Sequence, residues 1–201
     1  SVRRYDRSEP GDGIWVWRGD GKGQWHPMLE GLRRDMGYGG AEIGDINKDG
    51  KLDIAFSGHD LPPHVFINGL TTSGGGFWAG SNDGIDCEVM CLDVALGDCD
   101  GDGNLDLACV GLMPKVGGLY LYRGDGHGGF GPMAELLPRT HYGADVRIID
   151  IDGDGRGEIL AATDTGCRVW RYDATNGCVD IGQGLPKPVI GGVELGLLAV
   201  E

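Results

Sequence analysis

Asp98-Cys99-Asp100-Gly101-Asp102-Gly103-Asn104-Leu105-Asp106 sets acidic side chains at positions 1, 3, 5 and 9 of nine consecutive residues. Oxygen ligands at every second residue converge on one point only if the backbone winds around that point, and Gly103 supplies the unhindered turn that such winding needs. Carboxylate, amide and carbonyl oxygens are hard donors, and no imidazole or thiolate falls at a ligand position. The cation that suits them is Ca²⁺. Cys99, at position 2, is expected to point away from the ion.

The pattern occurs three times. Asp45-Ile46-Asn47-Lys48-Asp49-Gly50-Lys51-Leu52-Asp53 precedes it by 53 residues, and Asp150-Ile151-Asp152-Gly153-Asp154-Gly155-Arg156-Gly157-Glu158 follows it by 52. A 50-residue internal period across 201 residues points to a repeat array before any other architecture. The 40 glycines argue for many tight turns rather than long helices.

Working outward from the loops, short apolar segments flank each one. Ala41-Glu42-Ile43, Val89 to Leu96 and Val146 to Ile149 come before; Leu52 to Ala55, Leu105 to Ala108 and Glu158 to Ala161 come after. Each loop therefore joins two strands of a hairpin. A third strand follows at Val65-Phe66-Ile67, Leu119 to Tyr122 and Arg168-Val169-Trp170, and a fourth short segment near Phe77-Trp78, Phe130 and Val179-Asp180-Ile181. The predicted repeat is a four-stranded antiparallel unit, the size of a propeller blade.

The fold expected is all-β: a single β-propeller domain over 1–201 with about four blades, repeats at 39–84, 85–140 and 141–189, and a split blade formed by 1–38 with 190–201. Ile14-Trp15-Val16-Trp17-Arg18-Gly19-Asp20-Gly21 matches Leu119-Tyr120-Leu121-Tyr122-Arg123-Gly124-Asp125-Gly126, so the first residues read as outer strands. Gly192 to Glu201 reads as the inner strand that would join them. Such joining removes two exposed edges; if it fails within one chain, self-association is expected.

The formal charge is −14, yet 11 of the 31 acids lie in the three loops, leaving 20 acids against 17 bases. The acidity is mostly a set of ligands, and three bound Ca²⁺ would bring the charge to −8. Neither nucleic acid nor membrane insertion is expected as a partner. The first residue, Ser1, is what a processed or excised product would show. Among the six cysteines, Cys167 and Cys178 flank a hairpin turn and are the pair to join if any disulfide forms, with buried thiols the equal alternative.

The recurring D-x-[DN]-x-D-G-x-x-[DE], each copy followed by an apolar residue, resembles the FG-GAP/VCBS repeat family, the calcium-loop β-propellers represented by integrin α-subunit heads and lectin-like secreted proteins. The resemblance implies Ca²⁺ ligands at Asp45, Asn47, Asp49 and Asp53; at Asp98, Asp100, Asp102 and Asp106; and at Asp150, Asp152, Asp154 and Glu158. It adds the position-7 carbonyls of Lys51, Asn104 and Arg156. Asn47 removes one charge and is expected to weaken the first site. An EF-hand is excluded, because position 12 is Phe56, Cys109 and Ala161 rather than Glu and the flanks are strand-like.

Arg18-Gly19-Asp20 and Arg123-Gly124-Asp125 occupy equivalent turns, where their composition is conformational rather than an adhesion signal. His26, His59, His64, His127 and His141 share no repeat position, and the default for them is a surface place. Trp15, Trp17 and Trp170 with Tyr120 and Tyr122 are expected to pack between blades rather than to serve as sugar-stacking platforms, with Trp25 and Trp78 the exceptions. No nucleophile elbow, P-loop, HExxH or dinucleotide fingerprint occurs. The expectation is a non-catalytic, extracellular or periplasmic module holding about three structural Ca²⁺ and binding a protein or glycan. A polysaccharide lyase or hydrolase, or an architectural piece of a larger assembly, is the alternative.

Overall fold

The computed structural model describes residues 13–33, 39–58, 61–69, 76–85, 90–111, 117–138, 140–185, 189–190 and 193–194. The strands are β1 (Trp17–Gly19), β2 (Trp25–Pro27), β3 (Ala41–Gly44), β4 (Asp53–Gly58), β5 (Leu61–Asn68), β6 (Trp78–Gly80), β7 (Cys91–Gly97) and β8 (Asp106–Gly111). They continue as β9 (Gly118–Gly124), β10 (Phe130–Leu137), β11 (Gly143–Ile149), β12 (Glu158–Thr163), β13 (Gly166–Asp173), β14 (Gly177–Asp180), β15 (Val189–Ile190) and β16 (Val193–Glu194). No helix occurs among the described residues, so none is long and apolar enough to cross a membrane.

Three sheets have four strands each, in the sequential orders β3-β4-β5-β6, β7-β8-β9-β10 and β11-β12-β13-β14, all antiparallel. This is the expected blade, repeated three times in a propeller-like arrangement. The inner strand β7 packs against β11 on one side and against β3 and β4 on the other. The inner and second strands alternate small and branched residues, so two blades can lie close. Val94, Ala95, Leu107, Ala108, Val110, Val146, Ile159 and Ala161 are all buried. One core cluster joins the second and third sheets through Ala95, Val110, Leu121, Val146 and Ile159, and another joins the first and second through Ala55, Val65, Val94 and Leu107.

β1 and β2 form a two-stranded sheet, as expected of an outer half-blade. Their proposed complement, 192–201, lies almost entirely outside the described residues; within it, Val193–Glu194 pairs with Val189–Ile190 as a short hairpin. Trp15 and Trp17 do not pack as expected. Their rings stack on each other with centroids 6.0 Å apart, and Trp17 is 49% exposed, whereas its counterparts Tyr122 and Trp170 are each 3% exposed. The latter are covered by two inner strands that β1 lacks among the described residues.

Trp78 also departs from expectation. It is buried, its Nε1–H donating to the Met28 carbonyl at 3.0 Å, because segment 28–32 runs against β6. His64 belongs to β5 and is buried rather than on the surface, its Nε2 2.8 Å from Arg33 and its Nδ1 2.8 Å from the Pro62 carbonyl. Pro62 and Pro63 are accommodated because they stand at the strand's start, beside a register shift between Phe56 and Gly58. His59 lies outside the described residues. Cys167 and Cys178 carry free thiols: Cys178 sits opposite Tyr172 across the β13–β14 hairpin, while Cys167 lies opposite Ala162 on the other side of β13.

Candidate metal centres

Each acidic loop is the turn of the hairpin between a sheet's first and second strands: 45–53 between β3 and β4, 98–106 between β7 and β8, 150–158 between β11 and β12. Position 1 nucleates the winding. The Asp98 carboxylate accepts the N–H groups of Gly101 at 2.7 Å and Gly103 at 2.8 Å, and Asp150 accepts those of Gly153, Asp154 and Gly155 at 2.7, 3.1 and 3.0 Å. Asp45 does the same for Asp49 and Gly50 at 3.0 and 2.9 Å. These bonds close the loop around its first acid.

Two left-handed residues make the winding feasible. Position 6, read from the sequence, is Gly50, Gly103 and Gly155 with φ of 84°, 82° and 89°. Position 4, which sequence reasoning missed, is equally left-handed: Gly101 at 79°, Gly153 at 80°, and Lys48 at 59° in the first loop. Glycine at position 4 in two of three copies was the available signal. Lys48, the one non-glycine at positive φ among the described residues, adds strain to the first loop.

Position 9 is the buried floor. Asp53, Asp106 and Glu158 are each 0% exposed. Asp106 accepts the Cys99 N–H at 2.9 Å and the Gly124 N–H at 3.0 Å, and Asp53 accepts Ile46 at 2.9 Å and Asn68 at 2.8 Å. Glu158 keeps the first of these bonds, from Ile151 at 2.9 Å. Its extra methylene carries the other oxygen to Arg171 Nε at 2.7 Å instead of to the backbone. Cys99 at position 2 points away from the cage into the core as expected, and so does Ile46, whereas Ile151 in the third loop is exposed.

Burial pushes the Asp106 carboxyl up to about 6, with Asp100 and Asp102 adding to the rise against the backbone donors. Asp53 is raised by burial as well. A buried carboxylate crowded by others is destabilised as an anion, and a divalent cation is the partner that relieves it.

Ligand oxygens of Asp98, Asp100 and Asp106 lie within 4.8 Å of one another, and so do those of Asp150, Asp152 and Glu158. Positions 1, 3 and 9 thus converge in two loops, with oxygens of the kind and closeness that Ca²⁺ takes. Position 5 stands outside both groups: Asp102 and Asp154 accept the N–H groups of Asn104 and Arg156 at 2.8 and 2.9 Å. In the first loop Asp45, Asp49 and Asp53 form no such trio; Asn47 stands at position 3, and Asp49 is held by the Lys51 ammonium at 2.9 Å, which lowers its pKa.

The loops sit side by side. The Gly157 N–H donates to the Asp98 carbonyl at 2.7 Å, the Arg156 side chain lies over Gly101, and Lys48 Nζ reaches toward Gly103.

A family model described as an FG-GAP-like repeat matches residues 98–161. That span opens on the first acid of the second loop and closes in β12, just past the third loop, and so covers one period of the array together with the loop that begins the next. The chain carries an FG-GAP-like repeat. No curated protein matches it. The FG-GAP-like repeat joins a blade's Asp98–Asp106 loop to the next blade's Asp150–Glu158 loop, and the β3–β6 sheet with its Asp45–Asp53 loop has the same strand order.

Proposed function

We propose that this chain is a non-catalytic β-propeller module of an extracellular or periplasmic protein, stabilised by Ca²⁺ in its acidic loops. The convergence of carboxylates at positions 1, 3 and 9 in two loops carries the reading. The cations are structural: each cage ties the first strand of a blade to the second, and its floor is a buried acid rather than an open substrate face. Asp98, Asp100 and Asp106, and Asp150, Asp152 and Glu158, hold the two stronger sites. Asp45, Asn47, Asp49 and Asp53 hold a weaker one, because it has one charge fewer and no converged acid trio.

A protein or glycan ligand is taken on the loops between blades. A cleft of about 690 Å³ between the β9–β10 and β13–β14 hairpins supports this, lined by Asp83, Asp125, Met133 and Tyr172 among others. Acid oxygens beside an aromatic ring suit sugar hydroxyls and the faces of pyranose rings.

A cation that binds only the native state stabilises it by about 4 kcal/mol per site at a thousandfold excess over its dissociation constant. Chelation is therefore expected to lower the melting temperature and millimolar Ca²⁺ to restore it. A melt indifferent to both overturns the metal assignment. For the ligand, a glycan array with the calcium-loaded protein is expected to return hits that Asp83→Ala, a change at an exposed side chain of the cleft, weakens without changing the melt.

A further inference from the structure

We propose that Arg123 and Arg171 are counter-cations built into the third strand of two blades, positioning the position-3 carboxylate of the cage so that the second and third loops hold their shape without a metal ion, whereas the first loop depends on one. The inference rests on the cage reading above and deepens it.

The two arginines are structurally equivalent. Asp106 faces Arg123 and Glu158 faces Arg171, one step along the ladders that pair Leu107 with Tyr122 and Ile159 with Trp170. Each guanidinium reaches the same ligand of its own cage. Arg123 Nη2 lies 2.6 Å from Asp100 Oδ2, and Arg171 Nη2 pairs with Asp152 Oδ2. In both carboxylates the other oxygen, Oδ1, accepts the position-5 N–H, from Asp102 at 3.1 Å and from Asp154 at 3.3 Å. The position-3 side chain is thus gripped from strand and loop together, which fixes its rotamer before any cation arrives.

Each arginine is itself anchored. Arg123 donates to the Tyr172 hydroxyl at 3.0 Å and lies over that ring at 5.6 Å, so its guanidinium is held by the neighbouring blade. Arg171 spans two ligands, donating through Nε to Glu158 at 2.7 Å as well as pairing with Asp152. A fixed positive charge beside three carboxylates offsets their mutual repulsion, which otherwise drives an ion-free cage apart.

The first loop is the internal control. The residue facing Asp53 on the third strand is Ile67, which packs against the core, and its position-3 residue is Asn47. Arginine and aspartate occur together in two blades, and both are absent together in the third. Neutral asparagine needs no counter-charge, and isoleucine supplies none. The first loop carries in addition the strained Lys48.

The test is hydrogen exchange read by mass spectrometry on the whole chain, with chelator and with millimolar Ca²⁺. In chelator, wild-type amides of 98–106 and 150–158 are expected to exchange at least about tenfold more slowly than those of 45–53. Arg123→Gln and Arg171→Gln are each expected to abolish that difference in their own loop only, and Ca²⁺ to restore it; Arg→Lys at either site is expected to keep part of it. Asn47→Asp with Ile67→Arg is expected to slow exchange in 45–53, and Asn47→Asp alone to speed it. Equal exchange of all three wild-type loops in chelator overturns the proposal, and so does unchanged protection in the glutamine variants. A gain in Ca²⁺ affinity on removing the arginine, with protection unchanged, makes it a competitor and also overturns it. The chelator arm involves no ion, so it fails independently of the calcium reading, which the wild-type response to Ca²⁺ decides.

Discussion

The backbone N–H of Gly157 donates to the carbonyl oxygen of Asp98 at 2.7 Å, joining the end of the third acidic loop to the first acid of the second. The two cages therefore share a wall. A Cβ at position 157 would overlap Cγ2 of Ile148, a β-branched side chain with little rotamer freedom. Gly157→Ala is expected to destabilise the protein by about 1–3 kcal/mol in urea unfolding. It is expected to weaken Ca²⁺ binding at the second loop, which it meets only through the Asp98 backbone carbonyl. Weakening confined to the third loop would contradict the shared wall.

Trp17, Tyr122 and Trp170 hold the same place on the third strand of three units, but only the last two are covered. Trp170→Ala removes a buried ring from the larger core cluster and is expected to cost about 3–5 kcal/mol. Trp17→Ala is expected to change stability by no more than about 0.5 kcal/mol, as for an exposed site. A large loss at Trp17 in equilibrium unfolding would mean that its face is covered in solution.

Asp93 on β7 lies between two blades, where it accepts the Val146 N–H at 3.0 Å and pairs with Arg147 at 3.1 Å; Asp145 is close by and pairs with the same arginine at 2.7 Å. Burial pushes the Asp93 carboxyl up to about 6, with Asp145 adding to the rise and the Val146 N–H and Arg147 opposing it. An unfolded aspartate titrates near 3.8, so between these values the native state binds more protons than the unfolded one. The contribution of Asp93 is therefore greatest below about 4 and is lost as pH rises through about 6. Measured against Asp93→Asn in saturating Ca²⁺, wild-type stability is expected to fall relative to the variant across that window. Parallel stability curves would exclude this role.

Cys167 and Cys178 are expected to alkylate slowly in the native protein. Burial raises both thiols, Cys178 to about 11, which leaves little of the reactive thiolate at neutral pH. Peptide mapping after alkylation should find both residues unlinked. A Cys167–Cys178 disulfide in the mapped peptides would contradict the strand geometry.

The blade was legible because its signals are local. The alternation of acids at 45–53, 98–106 and 150–158, with Gly50, Gly103 and Gly155 as the left-handed turn, follows from what nine residues can do without outside help. β-rich flanks on both sides then fix a hairpin. What sequence reading mistook was decided by neighbours distant in the chain. Trp78 looked like a surface aromatic and is buried because segment 28–32 crosses it; Trp15 and Trp17 looked like core and are exposed for want of covering strands. His64, for which a surface place is the default, is buried because a register shift lets Pro62 and Pro63 begin a strand.

The site divides in the same way. Sequence by itself determined which oxygens are offered, their spacing, and the neutral position 3 of the first copy at Asn47, because side-chain type and loop winding are properties of contiguous residues. Only the tertiary structure decided that positions 1, 3 and 9 converge while position 5 turns back on its own loop. It alone placed Arg123 and Arg171, 23 and 19 residues beyond the aspartates they hold, against position 3. That pairing needs the third strand laid beside the second, so that side chains far apart in sequence meet across the sheet.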